Sequence, residues 1–275
     1  DAGMVITASH NPQEWNGIKC LIRQQVGQGV ISACAPGEAL ADQIVSRFRE
    51  SKPVNRPADP GAISRFSAST GTHLGPVLDG IGDLGPILTR RFRVVLDSVN
   101  GAGRFAGREL LAGALGCELI HQGAEDRGPF PHKPDPLRET LPGLAAAVKN
   151  LGASVGFAQD PDADRLAIVD ERGEYIGEEY TLALAAEALL SGHPAGKDRV
   201  LVTNLSTSRM LDDIATRHGA RVIRTPVGEA NVVEAMKREA AAGRDVVLGG
   251  EGNGGVIWPR VTYVRDSLSA MALVL

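Results

Sequence analysis

Between Gln159 and Arg165 the sequence reads Gln-Asp-Pro-Asp-Ala-Asp-Arg, so Asp160, Asp162 and Asp164 stand at alternate positions of one short segment. If the segment curls, about three negative charges crowd into a few ångströms, which costs free energy unless a cation neutralises them. Carboxylate oxygens are hard ligands and suit Mg2+ or Ca2+. An EF-hand has Gly at the sixth position of its loop and Glu at the twelfth. Here those positions are Arg165 and Glu171, and the flanking helices are missing, so calcium-loop geometry is not expected. An aspartyl nucleophile in a DxDx(T/V) loop needs Thr or Val where Asp164 stands, so metal binding alone fits better. A solvated acidic turn is the bland alternative. No Rossmann or P-loop glycine pattern accompanies the acids, which disfavours nucleotide chemistry.

The second candidate is Thr7-Ala8-Ser9-His10-Asn11-Pro12, followed by Asn16-Gly17-Ile18-Lys19. A serine at a strand end, with His10 beside it and Lys19 ten residues on, can be a phosphorylated hydroxyl. A phosphoserine carries close to two negative charges and needs a metal and cationic partners. Taken alone, Ser9 reads equally well as a capping or turn residue before an Asn-Pro turn.

Both segments need elements to hold them. Residues 4–7 read as the end of a strand and 9–17 as a polar loop. A helix is expected over 36–50, with Pro36 near its first turn. Residues 51–76, rich in Pro, Ser and Gly without periodicity, read as a linker or long surface loop. From there the pattern alternates. Strands are expected at 93–97, 117–121, 154–158 and 166–170, and helices over about 104–115, 141–150 and 180–190, with a hairpin tip at 171–174. It restarts with strands at 199–203, 221–225 and 245–249 and helices at 208–218 and 231–242. Such alternation predicts an α/β protein of consecutive α/β domains with mixed, mostly parallel sheets. The expected division is 1–75 for the serine loop and linker, 76–195 for the acidic loop, and 196–275 for a third domain.

At 275 residues and 43% hydrophobic content, the chain can bury several cores. A net charge of −4 leaves no electrostatic footprint for nucleic acid or an anionic membrane, so neither is expected as a partner. No apolar run nears a membrane span. Cys20, Cys34 and Cys117 lie in no metal or redox spacing and read as reduced thiols of a cytoplasmic protein. The start at Asp1 and the apolar, helix-like end over 267–275 suggest an internal segment of a longer protein.

The TASHNP run with its following NGIK, the DPDADR loop, and the later Gly250-Glu251-Gly252-Asn253-Gly254-Gly255 loop resemble, in order, three signature loops of the α-D-phosphohexomutase superfamily. The resemblance runs from Met4 to about Leu275 and is weakest between Leu21 and Thr89. It implies a mutase that interconverts hexose 1-phosphate and hexose 6-phosphate of glucosamine, mannose or glucose through a hexose 1,6-bisphosphate. By that resemblance Ser9 is the phosphate carrier, His10 and Asn11 orient it, and Lys19 assists proton transfer. Asp160, Asp162 and Asp164 would hold Mg2+ together with phospho-Ser9, and Arg165 would contact phosphate. Glu251 would grip sugar hydroxyls, with Asn253 in place of the family's usual Ser and Glu229 as a further sugar contact. Gly255 stands where many members have His, which shifts the acid/base burden towards Lys19. The turn 100–103 also recurs in the family and reads as structural. A different class, a non-catalytic sugar-phosphate or metal-binding relative, is the alternative. Intact Ser9, Lys19 and three acids argue against it. The expected partner is a small-molecule sugar phosphate.

Overall fold

The computed structural model describes residues 2–26, 30–50, 62–64, 66, 69–126, 128–192 and 198–275. Three strands, β1 (Ala2–Ile6), β2 (Ile18–Val26) and β3 (Val30–Cys34), form an antiparallel sheet in that order. Helix α1 (Glu38–Arg49) follows, with no buried residue, while Met4 and Ile6 of β1 are largely exposed. This sheet presents the loop between β1 and β2, which carries Ser9.

Helices α2 (Ser69–Ile81) and α3 (Gly85–Arg90) lead into a four-stranded sheet. Its strands are β4 (Arg93–Asp97), β5 (Glu118–Gln122), β6 (Val155–Gln159) and β7 (Leu166–Val169), ordered β5-β4-β6-β7. The β4 pairings are parallel, and β7 is an antiparallel edge. Helix α4 (Arg104–Arg108), a π-helical turn (Glu109–Ala114) and α5 (Pro142–Leu151) connect the strands. Helix α6 (Glu179–Ser191) leads to a second four-stranded sheet of β8 (Arg199–Asn204), β9 (Arg221–Thr225), β10 (Asp245–Glu251) and β11 (Gly255–Ile257). Its order is β11-β10-β8-β9, again parallel except for one antiparallel edge, β11. Helices α7 (Met210–Arg217) and α8 (Glu229–Ala241) are its crossovers, and α9 (Ser267–Val274) follows β11. The α/β class with mixed, mostly parallel sheets is as the alternation predicts. No helix among the described residues is long and apolar enough to cross a membrane.

The strand bounds 93–97 and 221–225 coincide with β4 and β9. The segment 51–76 differs. Residues 51–61 lie outside the described residues, but from Ser69 the chain is helical despite Pro76 inside α2. Pro76 lacks the N–H that would bond one turn back. Burial of Leu74 and Val77, with Gly80 lying against the Trp258 ring, outweighs that propensity. The β2–β3 hairpin, α3 and β11 have no counterpart in the sequence reading. No disulfide joins Cys20, Cys34 or Cys117.

The largest apolar cluster joins the two four-stranded sheets into one body. It contains Leu96, Phe157 and Leu166 from one sheet, Leu201, Leu248 and Val256 from the other, and residues of α6 and α9 between them. Among the described residues, none before Leu74 belongs to an apolar cluster. Helix α9 is almost wholly buried and depends on a good start. Asp266 caps it, accepting from the N–H groups of Leu268 at 3.0 Å and Ser269 at 3.2 Å, and its Oδ2 also meets His73 Nε2 at 2.9 Å.

That hydrogen bond from Asp266 is the main cause raising the His73 pKa, with burial opposing it. A raised histidine contributes stability that is fully present below its unfolded value and is lost as pH rises through the folded one. Asp266→Ala should therefore lower stability by about 1–2 kcal/mol from the cap. Urea midpoints should show a larger loss at pH 5.5 than at pH 8.5, and equal losses at the two pH values would refute the His73 contribution.

Candidate active site

The chemistry-bearing loops gather at the carboxyl ends of parallel strands, where open α/β sheets bind ligands. The acidic loop leaves the end of β6 and returns into β7. Asp160 organises it, because its Oδ1 accepts from the N–H groups of Asp164 at 3.0 Å and Arg165 at 3.1 Å. Ala163 takes a left-handed backbone (φ 59°) to close the curl. The turn 100–103 braces the loop from beneath: Ala102 N–H donates to Pro161 O at 2.7 Å. A Cβ on Gly101 would stand 2.6 Å from that same carbonyl oxygen, so only glycine allows the approach. This gives the turn the structural part expected of it.

One ligand atom from each of Asp160, Asp162 and Asp164 lies within 4.8 Å of the others. Asp162 and Asp164 each use one oxygen within the protein. Asp162 Oδ2 accepts from Lys19 Nζ at 2.8 Å and Thr7 Oγ1 at 3.1 Å, and Asp164 Oδ2 accepts from Lys19 Nζ at 3.3 Å and Arg265 Nη2 at 2.6 Å. Their Oδ1 atoms are buried without a partner. Carboxylate oxygens buried without a partner in so tight a cluster fit a divalent cation. The charges report the same crowding. Burial, then Asp164 and Asp162, raise Asp160 well above the usual carboxylate range. Burial also works against the Asp162 charge, but Lys19 outweighs it and holds that carboxyl below its ordinary value.

Ser9 reaches this centre from the first sheet. Thr7 N–H donates to Gly17 O at 3.0 Å and closes the base of the loop. Thr7 Oγ1 accepts from Ser9 N–H at 2.8 Å, so one hydroxyl binds both the serine loop and Asp162. Ser9 sits in the left-handed region (φ 54°), which is uncommon for a residue with a side chain and sets Oγ facing the acids. Its Oγ donates to Asp160 Oδ2 at 3.4 Å and lies 3.3 Å from His10 Nδ1. Burial, with the Arg165 charge adding, keeps the His10 pKa below its ordinary value. Burial likewise opposes the Lys19 charge, but Asp162 and Asp164 overcome it and raise the ammonium pKa. Arg165 Nη1 lies 3.5 Å from Asp135 Oδ1.

Of the residues singled out by sequence, Ser9, His10, Lys19 and the three acids therefore meet in one cluster, with Arg165 at its border. Glu251 and Glu229 lie on its other side. Glu251 is 4% exposed, and its Oε1 accepts from Asn204 Nδ2 at 2.7 Å and Gly228 N–H at 3.1 Å. Its Oε2 accepts from Arg265 Nη1 at 3.1 Å. A carboxylate has about four acceptor positions, which leaves Glu251 roughly one for a ligand. Asn253 Oδ1 accepts from Gly255 N–H at 3.3 Å. The two ligand loops are fastened directly, Leu166 N–H donating to Gly254 O at 3.0 Å. Sequence reasoning missed Thr7, Asn204, Asp135 and Arg265. Thr7 stands inside the quoted serine motif, whereas Arg265 carries no local signal.

Calorimetric titration with Mn2+ should show saturable binding that Asp162→Ala abolishes. Gly101→Ala, which pushes on Pro161, should weaken it. Unchanged Mn2+ affinity in Asp162→Ala would sink the carboxylate centre.

Three family profiles match the chain in succession: phosphoglucomutase/phosphomannomutase alpha/beta/alpha domain I over 1–30, domain II over 77–173 and domain III over 177–275. A phosphoglucomutase/phosphomannomutase of Thermococcus kodakarensis is 38% identical, covering 100% of this chain and 56% of its own length. A probable phosphoglucosamine mutase of Methanococcoides burtonii is 34% identical, covering 100% of this chain and 58% of its own. A solved phosphoglucomutase/phosphomannomutase family protein of Burkholderia thailandensis superposes with a TM-score of 0.77 at 26% identity, over 100% of this chain and 55% of that one. The chain thus spans a little over half the length of the relatives it matches. With three successive family profiles and a 38% identical relative covering the whole chain, the chain belongs to the phosphoglucomutase/phosphomannomutase family of the α-D-phosphohexomutase superfamily.

Proposed function

We propose that the protein containing this chain interconverts hexose 1-phosphate and hexose 6-phosphate, with Ser9 carrying the phosphate between them. The observation that carries this reading is the approach of Ser9 Oγ to Asp160, within a carboxylate cluster whose remaining oxygens have no partner. A serine there can hold a phosphate only beside a cation, and the cluster has the donor set for one. Mg2+ on Asp160, Asp162 and Asp164 would supply withdrawal of charge from the phosphoryl group.

The chain's own residues account for the rest. A sugar hydroxyl attacks phosphorus in line, its new P–O bond forming as the bond to Ser9 Oγ breaks. The proton released by the sugar hydroxyl balances the one that Ser9 Oγ takes up, with Lys19 as the relay that gives a proton to Oγ and recovers one from the hydroxyl. Lys19, held as an ammonium, supplies positive charge and a proton donor at that point. His10 orients Oγ through Nδ1. Arg165 contacts phosphate while Asp135 steadies its guanidinium. The resulting hexose 1,6-bisphosphate turns over and returns its other phosphate to Ser9. Glu251, Asn253 and Glu229 hold the sugar hydroxyls in both orientations. In this scheme the division 1–75, 76–195 and 196–275 assigns one loop to each domain: phosphate carrier, metal centre and sugar grip. Glucosamine, mannose and glucose phosphates are the candidate substrates.

Intact-mass measurement should find one phosphate on the purified protein and none on Ser9→Ala. Coupled assays of the whole protein with the phosphates of those three sugars should show turnover that Ser9→Ala reduces by about a thousandfold or more, as loss of a covalent carrier does. A phosphate that persists in Ser9→Ala would remove Ser9 from the role.

A further inference from the structure

Arg265 takes no part in the steps above, yet its side chain is 9% exposed and stands among three carboxylates from three separate elements. Nη2 donates to Asp164 Oδ2 at 2.6 Å, and Nη1 donates to Glu251 Oε2 at 3.1 Å. Nε lies 3.3 Å from Glu229 Oε2, and the backbone N–H donates to Glu229 Oε1 at 3.1 Å. One guanidinium therefore ties the acidic loop to the sugar loop and to the start of α8. A planar fork can bridge two acids in this way, whereas an ammonium is a single point charge.

The space it occupies is also specific. A Cβ on Gly255 would stand 2.3 Å from Arg265 Cδ, so a side chain at position 255 and the extended arm of Arg265 exclude each other. Two effects follow, and they have opposite signs. The guanidinium charge within hydrogen-bond reach of Asp164 opposes a divalent cation on the free Asp164 Oδ1. The same group fixes Glu251 Oε2, while Asn204 and Gly228 fix Oε1, so the sugar loop has one defined shape.

We propose that Arg265 is a positioning residue that stands where a side chain at 255 would otherwise stand, orders Glu251 for the sugar, and lowers the divalent-cation affinity of the carboxylate centre in doing so. The inference rests on the sugar-phosphate reading above. Its test is the affinity of the whole protein for Mn2+ alone and for glucose 1-phosphate alone, measured by calorimetry.

In Arg265→Met, Mn2+ should bind about tenfold or more tightly because an opposing charge is gone. Glucose 1-phosphate should bind about tenfold or more weakly because Glu251 has lost its tie. Gly255→Ala, which displaces the arm, should move both affinities in the same two directions. Arg265→Lys should keep Mn2+ affinity within about threefold of wild type, yet bind the sugar phosphate as poorly as the Met variant. A merely structural role would weaken both ligands together. Losses of both affinities in Arg265→Met, or no change in either, would overturn this inference while leaving the metal centre standing. A wild-type protein that bound no Mn2+ would overturn the metal centre and this inference alike.

Discussion

Three carboxylates, two buried and one half-buried, with ligand oxygens within 4.8 Å of one another repel, and much of the surrounding structure answers that repulsion. At this spacing and an effective dielectric near 20, each pair costs roughly 3–4 kcal/mol. The cluster therefore exists only because positive charge and donors surround it. Two backbone N–H groups hold Asp160, Lys19 and Thr7 hold Asp162, and Lys19 and Arg265 hold Asp164. The cations that satisfy the acids also fix where the neighbouring loops can be. Ser9 reaches Asp160 because Thr7 and Lys19, on either side of it in the chain, are both bound to the neighbouring Asp162.

The sugar side follows the same logic with a different balance. Around Arg265 the acids outnumber the cation, and Glu251 is held from three directions. A buried carboxylate so engaged keeps its place whether or not a ligand is bound. Rigidity comes from direct backbone ties between the loops, Leu166 to Gly254 and Ser267 to Ala163, and from the apolar body formed by α6 and α9 beneath them.

The acidic and serine loops were legible because their chemistry is local: acids at alternate positions, and Ser, His and Lys within one loop. The β–α alternation of the two four-stranded sheets was legible for a related reason, since parallel strands buried on both faces carry continuous apolar runs such as 94–96 in β4. What escaped depends on tertiary partners. Helix α2 reads as a loop by its Gly and Pro content, and its identity comes from the core that buries Leu74 and Val77. Arg265 looks like any charged residue before a helix cap. Only the fold brings Asp164, 101 residues away in sequence, to its guanidinium. Asn204 and Asp135 are likewise ordinary in sequence and become partners of Glu251 and Arg165 through strand order.

The molecule has two seams of different material. Among the described residues, the first sheet meets the rest through polar contacts, Thr7 and Lys19 to Asp162, Ser9 to Asp160, and Gln13 to Phe130, and contributes nothing to the apolar clusters. The two four-stranded sheets meet through buried side chains. Dissolved ions therefore act on the seams in opposite directions. At about 1 M salt the screening length falls to about 3 Å, which loosens the half-exposed Lys19 pairing. Excluded salts such as sulfate strengthen apolar burial. Ionic composition can thus alter how closely Ser9 sits on the acidic loop while leaving the acidic loop and the 250–255 loop in register with each other.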